Sequence, residues 1–380
     1  MELTTKKITS FIPTKRTLMG PGPSDVPQRV LEAMARPTLG HLDPDFVGMM
    51  DEVKDLLKYA FRTENEMTMA VSAPGSAGME MCFVNLVEPG DKVIVCINGV
   101  FGGRMKENVE RCGGTAIVVE DKWGEPVSLE KVEAAFKANP DTKVLAFVHA
   151  ETSTGVRSDA EGLIKIANEY GALNIVDAVT SLAGIPLEVD AWGIDAIYSG
   201  SQKCLSSTPG ISPVSFGKRA IEKIKNRKKK VQSWFLDLNL VMDYWGSTTG
   251  KRAYHHTAPV NALYGFHESL VMMTEEGLEN AWARHAKNHE ILKEKVINPL
   301  GMEMPVEEKY RLPQLNLVKI PEGNDDAEVR KQLLFEEGIE VGAGLGAFGG
   351  KYWRIGLMGH TSSEENIDKL AAAFAKVLKK

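Results

Sequence analysis

Cysteine is scarce in this chain, long apolar runs are missing, and positive charge is not in excess. Four cysteines occur in 380 residues: Cys82, Cys96, Cys112 and Cys204. They form no C-x-x-C pair and sit in or beside apolar runs. That excludes a disulfide framework or zinc site and points to reduced, buried thiols in a cytoplasmic protein. No apolar stretch approaches the roughly 20 residues that cross a bilayer. The N-terminus has lysines but no apolar core of a secretory signal. The final Val-Leu-Lys-Lys matches neither a retention nor a peroxisomal signal. A net charge of −6 argues against nucleic acid as a partner, since such binders carry a basic excess. The basic run from Lys223 to Lys230 follows a glycine in a helical pattern and reads as a solvated helix end. Internal repeats and low-complexity tracts are missing too.

What is present is an ordinary globular composition, 43% hydrophobic and 25% charged, with length for two or three units of roughly 100–200 residues. Short β-rich runs at Lys92–Ile97, Thr115–Val119, Val144–His149, Leu173–Asp177, Ala196–Ser199 and Pro213–Phe216 alternate with helical patterns. Those helical patterns span Ala77–Leu86, Gly103–Arg111, Leu129–Ala138 and Ala160–Tyr170. Strands that are apolar throughout and separated by helices predict an α/β fold with a mostly parallel sheet buried on both faces. From about Pro259 to Val296 the pattern is helical, with Gly277 its one break. Beyond lie Gln314–Ile320, a helix over Asp326–Glu337, Glu340–Gly342, Trp353–Leu357 and a last helix from Ser363. This order divides the chain into a patternless arm (residues 1–17), a large domain (18–276) and a smaller C-terminal α+β domain (277–380).

Chemistry concentrates at a few positions. Lys203, in Tyr198-Ser-Gly-Ser-Gln-Lys203-Cys204, follows one apolar segment, and Asp177 ends an earlier one. A pyridoxal 5′-phosphate (PLP) site needs an amine for its aldehyde and a carboxylate to keep its pyridine nitrogen protonated. Both are expected at the carboxyl edge of a parallel sheet. The same two residues also fit a snorkelling surface lysine and a capping aspartate. Ser72-Ala-Pro-Gly75-Ser76-Ala-Gly78 enters an apolar helix, which suits a phosphate dianion; a plain turn with Ser76 as N-cap fits as well. Gly344-Leu-Gly346-Ala-Phe-Gly349 is a literal G-x-G-x-x-G, but a strand rather than a helix follows it, so it reads as a loop and not a dinucleotide fingerprint. The adjacent His255 and His256 lack the spaced partners of a metal site, and no metal is expected.

The runs Val148-His-Ala-Glu151-Thr152-Ser153-Thr154-Gly155-Val156, Asn174-Ile-Val-Asp177-Ala-Val179, Ser199-Gly-Ser-Gln202-Lys203, Tyr254-His-His-Thr257 and Arg354-Ile-Gly-Leu together resemble the class V (fold-type I) PLP-dependent aminotransferases. Within them the likeness is greatest to the alanine–glyoxylate and serine–pyruvate (serine–glyoxylate) group. It runs in order from about Leu18 to the C-terminus, with Leu18-Met-Gly20-Pro-Gly22-Pro-Ser24 and Val87-Glu-Pro-Gly-Asp91 fitting as well.

The resemblance implies ping-pong transamination of alanine or serine with glyoxylate or pyruvate, with Lys203 as Schiff-base lysine and proton-transfer base and Asp177 as the pyridinium partner. It implies Gly75, Ser76 and Gln202 at the phosphate, Phe101 and Val179 on the two ring faces, and Thr152 at the phenolate oxygen. Arg354 would clamp the substrate carboxylate, and Gly22 would line the substrate pocket. Tyr254 and Thr257 would reach the phosphate of a partner subunit, which implies a homodimer with shared sites, and the N-terminal arm would lie on that partner. Pro74 departs from the small hydroxyl residue often found in the phosphate loop, and Phe101 stands where some relatives carry Trp. Ureidoglycine–glyoxylate, 2-aminoethylphosphonate–pyruvate and pyridoxamine–pyruvate aminotransferases share the pattern and stay open as alternatives, as does a PLP lyase or desulfurase. A desulfurase would want a mobile cysteine near the arginine, and residues 340–352 contain none.

Overall fold

The computed structural model describes residues 9–246 and 252–378; the first eight residues of the expected arm lie outside them. Seven strands build the main sheet: β1 (Met67–Val71), β2 (Lys92–Ile97), β3 (Thr115–Glu120), β4 (Val144–Val148), β5 (Leu173–Asp177), β6 (Ala196–Tyr198) and β7 (Ser212–Phe216). Their order across the sheet is β1-β7-β6-β5-β4-β2-β3. The pairs β2–β3, β2–β4, β4–β5 and β5–β6 are parallel. β7 runs against both β6 and β1, so β1 points the same way as the other strands. The expected mostly parallel α/β sheet is therefore present, and each of the six strands expected in it is found to within one residue at either end; Glu340–Gly342, expected as one run farther on, is split between Ile339–Glu340 and Gly342–Ala343.

β1 was not expected. Its sequence Met-Thr-Met-Ala-Val is buried at every position, but only Thr68 and Val71 are β-branched, so its strand propensity is weak. Pairing with β7 along its whole length supplies what propensity does not.

Helices cover the sheet: α1 (Gly75–Leu86), α2 (Val100–Arg111), α3 (Leu129–Ala138) and α4 (Ala160–Glu169). Two of them begin earlier than their apolar periodicity suggests, α1 at Gly75 and α2 at Val100, where glycines interrupt the apolar pattern of the first turn. α5 (Val260–Glu276) and α6 (Leu278–Leu292) meet at Gly277, whose φ of +82° is a conformation glycine adopts without strain.

A second apolar cluster collects Leu292, Val296, Val318, Leu333, Trp353, Ile355 and Phe374 from the C-terminal part, and also Met19. Here β8 (Leu315–Lys319), β9 (Gly342–Ala343) and β10 (Tyr352–Gly356) form an antiparallel sheet in the order β8-β10-β9. Trp353 stacks on Phe374 with centroids 5.5 Å apart, and its indole N–H donates to Asp326 at 2.9 Å. The G-x-G-x-x-G segment forms a loop with one short helical turn (Gly346–Phe348) leading into β10, as its strand-like sequel requires.

α2 lies directly on β2. A Cβ placed on Gly102 would stand 2.5 Å from the Cys96 carbonyl oxygen and 2.9 Å from Ile97 Cα. Both are backbone atoms that cannot swing aside. Gly102→Ala should accordingly lower unfolding stability by about 1–3 kcal/mol, measured by denaturant titration; a change within error of zero would mean that the helix and strand separate freely.

Candidate active site at the carboxyl edge of the sheet

Asp177 is the last residue of β5, and the β5–β6 register sets Tyr198 opposite it. The Tyr198 hydroxyl donates to Asp177 Oδ2 at 2.7 Å, while the Val179 amide donates to Oδ1 at 2.8 Å. The carboxyl is buried. Burial raises its pKa from 3.8 to about 7, although the bonds from Tyr198 and Val179 pull the other way. A capping role is overturned: the group that Asp177 serves is a turn, and no helix starts there.

Lys203 lies in the turn between β6 and β7 and is 8% exposed. A snorkelling lysine would reach solvent; this one points inward, and its Nζ donates to the Pro21 carbonyl. Burial lowers its pKa from 10.5 to about 8, with the Arg354 charge acting in the same sense. Asp177 influences it through space rather than by a direct ion pair.

The N-terminal segment closes over this lysine. Ser24 donates from its hydroxyl to the Lys203 carbonyl at 2.8 Å and from its amide to the Gln202 carbonyl at 2.9 Å. Gly22 has φ +103°, and a Cβ there would stand 2.5 Å from Lys203 Nζ. No side chain fits at Gly22 without displacing the amine.

α1 starts at Gly75 with Pro74 in the N-cap position and no side-chain cap. The alternative in which Ser76 caps the helix is corrected: Ser76 lies inside the first turn and is exposed. Uncapped amides and the positive end of the helix dipole are what an anion needs. Gly75 is buried, with its Cα hydrogen facing the Ser199 carbonyl and Val179 Cγ2. The helix start thus sits beside both Asp177's turn and the strand that leads to Lys203.

Behind the loop, Ser72 Oγ pairs with His256 Nε2 at 2.8 Å. His256 Nδ1 pairs with His255 Nδ1, also at 2.8 Å, and His255 stacks on Trp234 with centroids 4.4 Å apart. Burial and the neighbouring His255 lower His256 to about 4, so both rings support the loop as neutral groups. Among the described residues no group of three or more His, Cys, Asp or Glu could hold a metal. Tyr254 and Thr257 are exposed on the same segment.

Phe101 occupies the first turn of α2 half-buried, with the Arg104 guanidinium 4.8 Å from its ring centroid. Thr152 is buried, its hydroxyl 2.5 Å from that of Thr180. Gln202 has a buried side-chain oxygen with no hydrogen-bond partner. Arg354, in β10, is 8% exposed and so is no surface charge. Its Nε donates to the Ala343 carbonyl at 2.8 Å and its Nη1 to the Thr152 carbonyl at 3.4 Å. No carboxylate pairs with it among the described residues, and burial lowers its pKa to about 10. A buried guanidinium satisfied only by carbonyls is poised for a planar carboxylate.

Three residues in this neighbourhood escaped the sequence reading. Tyr198 counted only as the end of a strand, and the register that aims its hydroxyl at Asp177 is invisible without pairing. Thr180 has no signal of its own. Glu151 did have one: an acid directly after an apolar strand, where charge is not expected. It is fully buried, and burial raises its pKa. A separate groove of about 1080 Å³ lies at the opposite, amino edge of the strands, lined by Glu64, Asp190, Asp195 and Lys218 among others; it contains none of the candidate residues.

Comparison with known proteins follows the same lines. The family described as aminotransferase class-V matches residues 17–370. The chain is 39% identical over 365 residues to alanine–glyoxylate aminotransferase of Rattus norvegicus, covering 96% of this chain and 88% of that protein. It is 34% identical over 381 residues to (S)-ureidoglycine–glyoxylate transaminase of Bacillus subtilis, covering 96% and 90%. Among solved structures, the alanine–glyoxylate aminotransferase of Nostoc sp. superposes with a TM-score of 0.95 at 46% identity, covering 98% of each chain. The sheet, the helix start and the residues gathered at its carboxyl edge are thus those of a chain that belongs to the class-V aminotransferases.

Proposed function

We propose that this protein is a PLP-dependent aminotransferase that moves the amino group of alanine to glyoxylate, with serine and pyruvate as second donor and acceptor. The observation that carries the reading is a buried lysine paired with no carboxylate, lying between an anchored aspartate and an unpaired buried arginine. The residues present fit the cofactor: uncapped amides at the start of α1 suit its phosphate, to which Gln202 would add its side-chain N–H as donor, and Asp177 suits its ring nitrogen. Phe101 and Val179 flank the ring, and Thr152 offers a hydroxyl to the phenolate oxygen. Bound there, PLP supplies an aldehyde for amine exchange and a cationic ring that accepts an electron pair.

The chain's own residues do the rest. Lys203, neutral above about pH 8, holds the cofactor and then moves the proton between the substrate Cα and the cofactor carbon that receives the amine. Asp177 keeps a positive charge beside it, held by Tyr198 and Val179. Arg354 orients the substrate carboxylate. Gly22 lies directly against Lys203, where any side chain would displace the amine, and a single clamping arginine, Arg354, suits small substrates that carry one carboxylate, such as alanine, serine and glyoxylate.

Of two rivals, one meets a specific obstacle. A desulfurase needs an accessible thiolate, but Cys204, the cysteine beside Lys203, is buried, points at the Thr180 carbonyl and has its thiol pushed up to about 12 by burial. The ureidoglycine donor of the Bacillus relative remains the alternative substrate, and a donor panel separates the two.

The reading includes a homodimer with shared sites, supported by the exposed Trp234 and Tyr254 beside the phosphate loop. It takes residues 18–276 as the cofactor-binding domain and 277–380 as the smaller one. A cytoplasmic location suits four free, buried thiols, and no helix among the described residues is long and apolar enough to cross a membrane.

Protein loaded with PLP should absorb near ~400–430 nm through the conjugated imine to Lys203. Alanine should bleach this band and glyoxylate restore it, while Lys203→Ala should lose it, and borohydride should tag Lys203 alone. Absence of the band, or bleaching by ureidoglycine and not by alanine, would overturn the assignment. Arg354→Ala should raise the KM for amino and oxo acids about 10–100-fold with a smaller change in kcat, the loss of a charged hydrogen-bond pair; an unchanged KM would remove Arg354 from the substrate. Capture of PLP by the apoprotein needs the neutral amine of Lys203, whose pKa is about 8. Its rate should climb about tenfold per pH unit below that value and level off above about pH 9, followed by stopped-flow absorbance. A rise continuing to pH 10 would show an unshifted lysine.

A further inference from the structure

α2 carries Phe101 in its first turn but has no cap of its own: its N-cap is Gly99, which lacks a side chain. The cap comes from the loop after β4. Ser153 Oγ accepts from the Val100 amide at 3.0 Å, and Glu151 Oε2 accepts from the Phe101 amide at 3.2 Å. The two capping side chains are themselves locked together: the Ser153 hydroxyl and amide both donate to Glu151 Oε1, at 2.5 and 3.0 Å. A Cβ on Gly99 would collide with both Glu151 and Ser153, so the glycine is what lets them approach. Both oxygens of the Glu151 carboxyl are thereby committed, Oε2 to the turn that presents Phe101 and Oε1 to Ser153, and the group is fully buried.

We infer that Glu151, fixed by Ser153, is a positioning residue that sets the height and tilt of the Phe101 ring, and so the strength and geometry of cofactor stacking. The inference rests on the reading of Phe101 as the stacking residue given above. Its physical basis is that a carboxylate offers two acceptor oxygens while an amide offers one. Both oxygens are in use, one toward α2 and the other toward Ser153. Any neutral replacement of the same shape must break one side and let the helix start shift. Because Thr152 stands between Glu151 and Ser153 in sequence, the same lock also fixes the segment that presents the Thr152 hydroxyl and the carbonyl that receives Arg354.

The test is a double-mutant cycle read by PLP dissociation constant and by visible circular dichroism of the bound cofactor, both measured without turnover. Wild type, Glu151→Gln, Phe101→Ala and the double variant are compared as full chains. Glu151→Gln is isosteric and should raise the dissociation constant about tenfold, the effect of one lost charge-assisted hydrogen bond, and change the dichroism of the visible band. Added to Phe101→Ala it should weaken binding by less than twofold more, because its effect passes through the ring. An unaltered dissociation constant and dichroism in Glu151→Gln, or full additivity in the double variant, would overturn the inference. If Glu151→Gln does not fold, Ser153→Ala takes its place in the same cycle with the same expected non-additivity, and additivity there overturns it equally. Wild type that fails to bind PLP would instead sink the functional reading, so the two failures are distinguishable.

Discussion

The fold is arranged around one buried carboxylate at the end of a central strand. Removing a carboxylate from water costs several kcal/mol unless its oxygens find donors. Asp177 finds two, and neither is placed by chance. The Val179 amide is supplied by the turn that ends β5, and the Tyr198 phenol by the neighbouring strand, whose parallel register sets it opposite Asp177. A slip of that register by one residue would turn Tyr198 to the other face of the sheet. The requirement to satisfy one charge therefore reaches back into the pairing of β5 with β6 and into the helices that bury both.

Burial then sets the chemistry. It acts on the two central groups in opposite directions, raising Asp177 to about 7 and lowering Lys203 to about 8, because in each case it disfavours the charged form. For Asp177 the folded pKa exceeds the unfolded 3.8, so its contribution to stability is fully present below about pH 4 and is lost as pH rises through 7. For Lys203 the folded value is depressed, so its contribution is present above the ordinary 10.5 and lost as pH falls through 8. Both penalties are felt near neutral pH. Any ligand that set a cation against Asp177 and took up the amine of Lys203 would relieve both and so add to stability. A lysine titrating near neutrality is also what a proton-transfer base requires.

Much of this was legible in the residues. Strand pattern located six of the seven strands, since all-apolar runs bounded by glycine and polar turns leave little ambiguity. β1 escaped because Met-Thr-Met-Ala-Val is apolar without being β-rich, and its partner β7 is distant in sequence. Lys203 and Asp177 were found as isolated charges at the ends of apolar segments and Arg354 through the family resemblance, and the structure buries all three. What sequence could not supply were contacts made across the sheet. Tyr198 and Thr180 act through hydroxyls whose aim depends on register, and the cap on α2 comes from residues about fifty positions away. Glu151 is the instructive miss. It stood inside a recognised motif, yet a charged residue next to a strand is usually solvated, and only its burial reveals that it serves the backbone of another helix.

The side of the site facing the substrate is assembled from segments that share no sequence neighbourhood. Residues 17 and 18 pair with Ile339 and Glu340, and the Gly356 amide donates to the Met19 carbonyl at 2.7 Å, so the N-terminal stretch is stitched to the C-terminal sheet. From there the chain passes Pro21, which receives the Lys203 amine, to Ser24, which bonds the backbone of Gln202 and Lys203. Met19 itself belongs to the C-terminal apolar cluster. Arg354 closes the circuit by reaching from β10 to the Thr152 carbonyl at the carboxyl edge of the main sheet. Lysine and arginine are consequently connected along residues 17–24, and Arg354 also holds the loop after β4. A shift of the C-terminal sheet relative to the main one would move Arg354 and the Pro21–Gly22 wall together rather than singly. Arg354 and the segment over the Lys203 amine are thereby anchored to the same strand, one as a residue of β10 and the other through the bond from the Gly356 amide to the Met19 carbonyl.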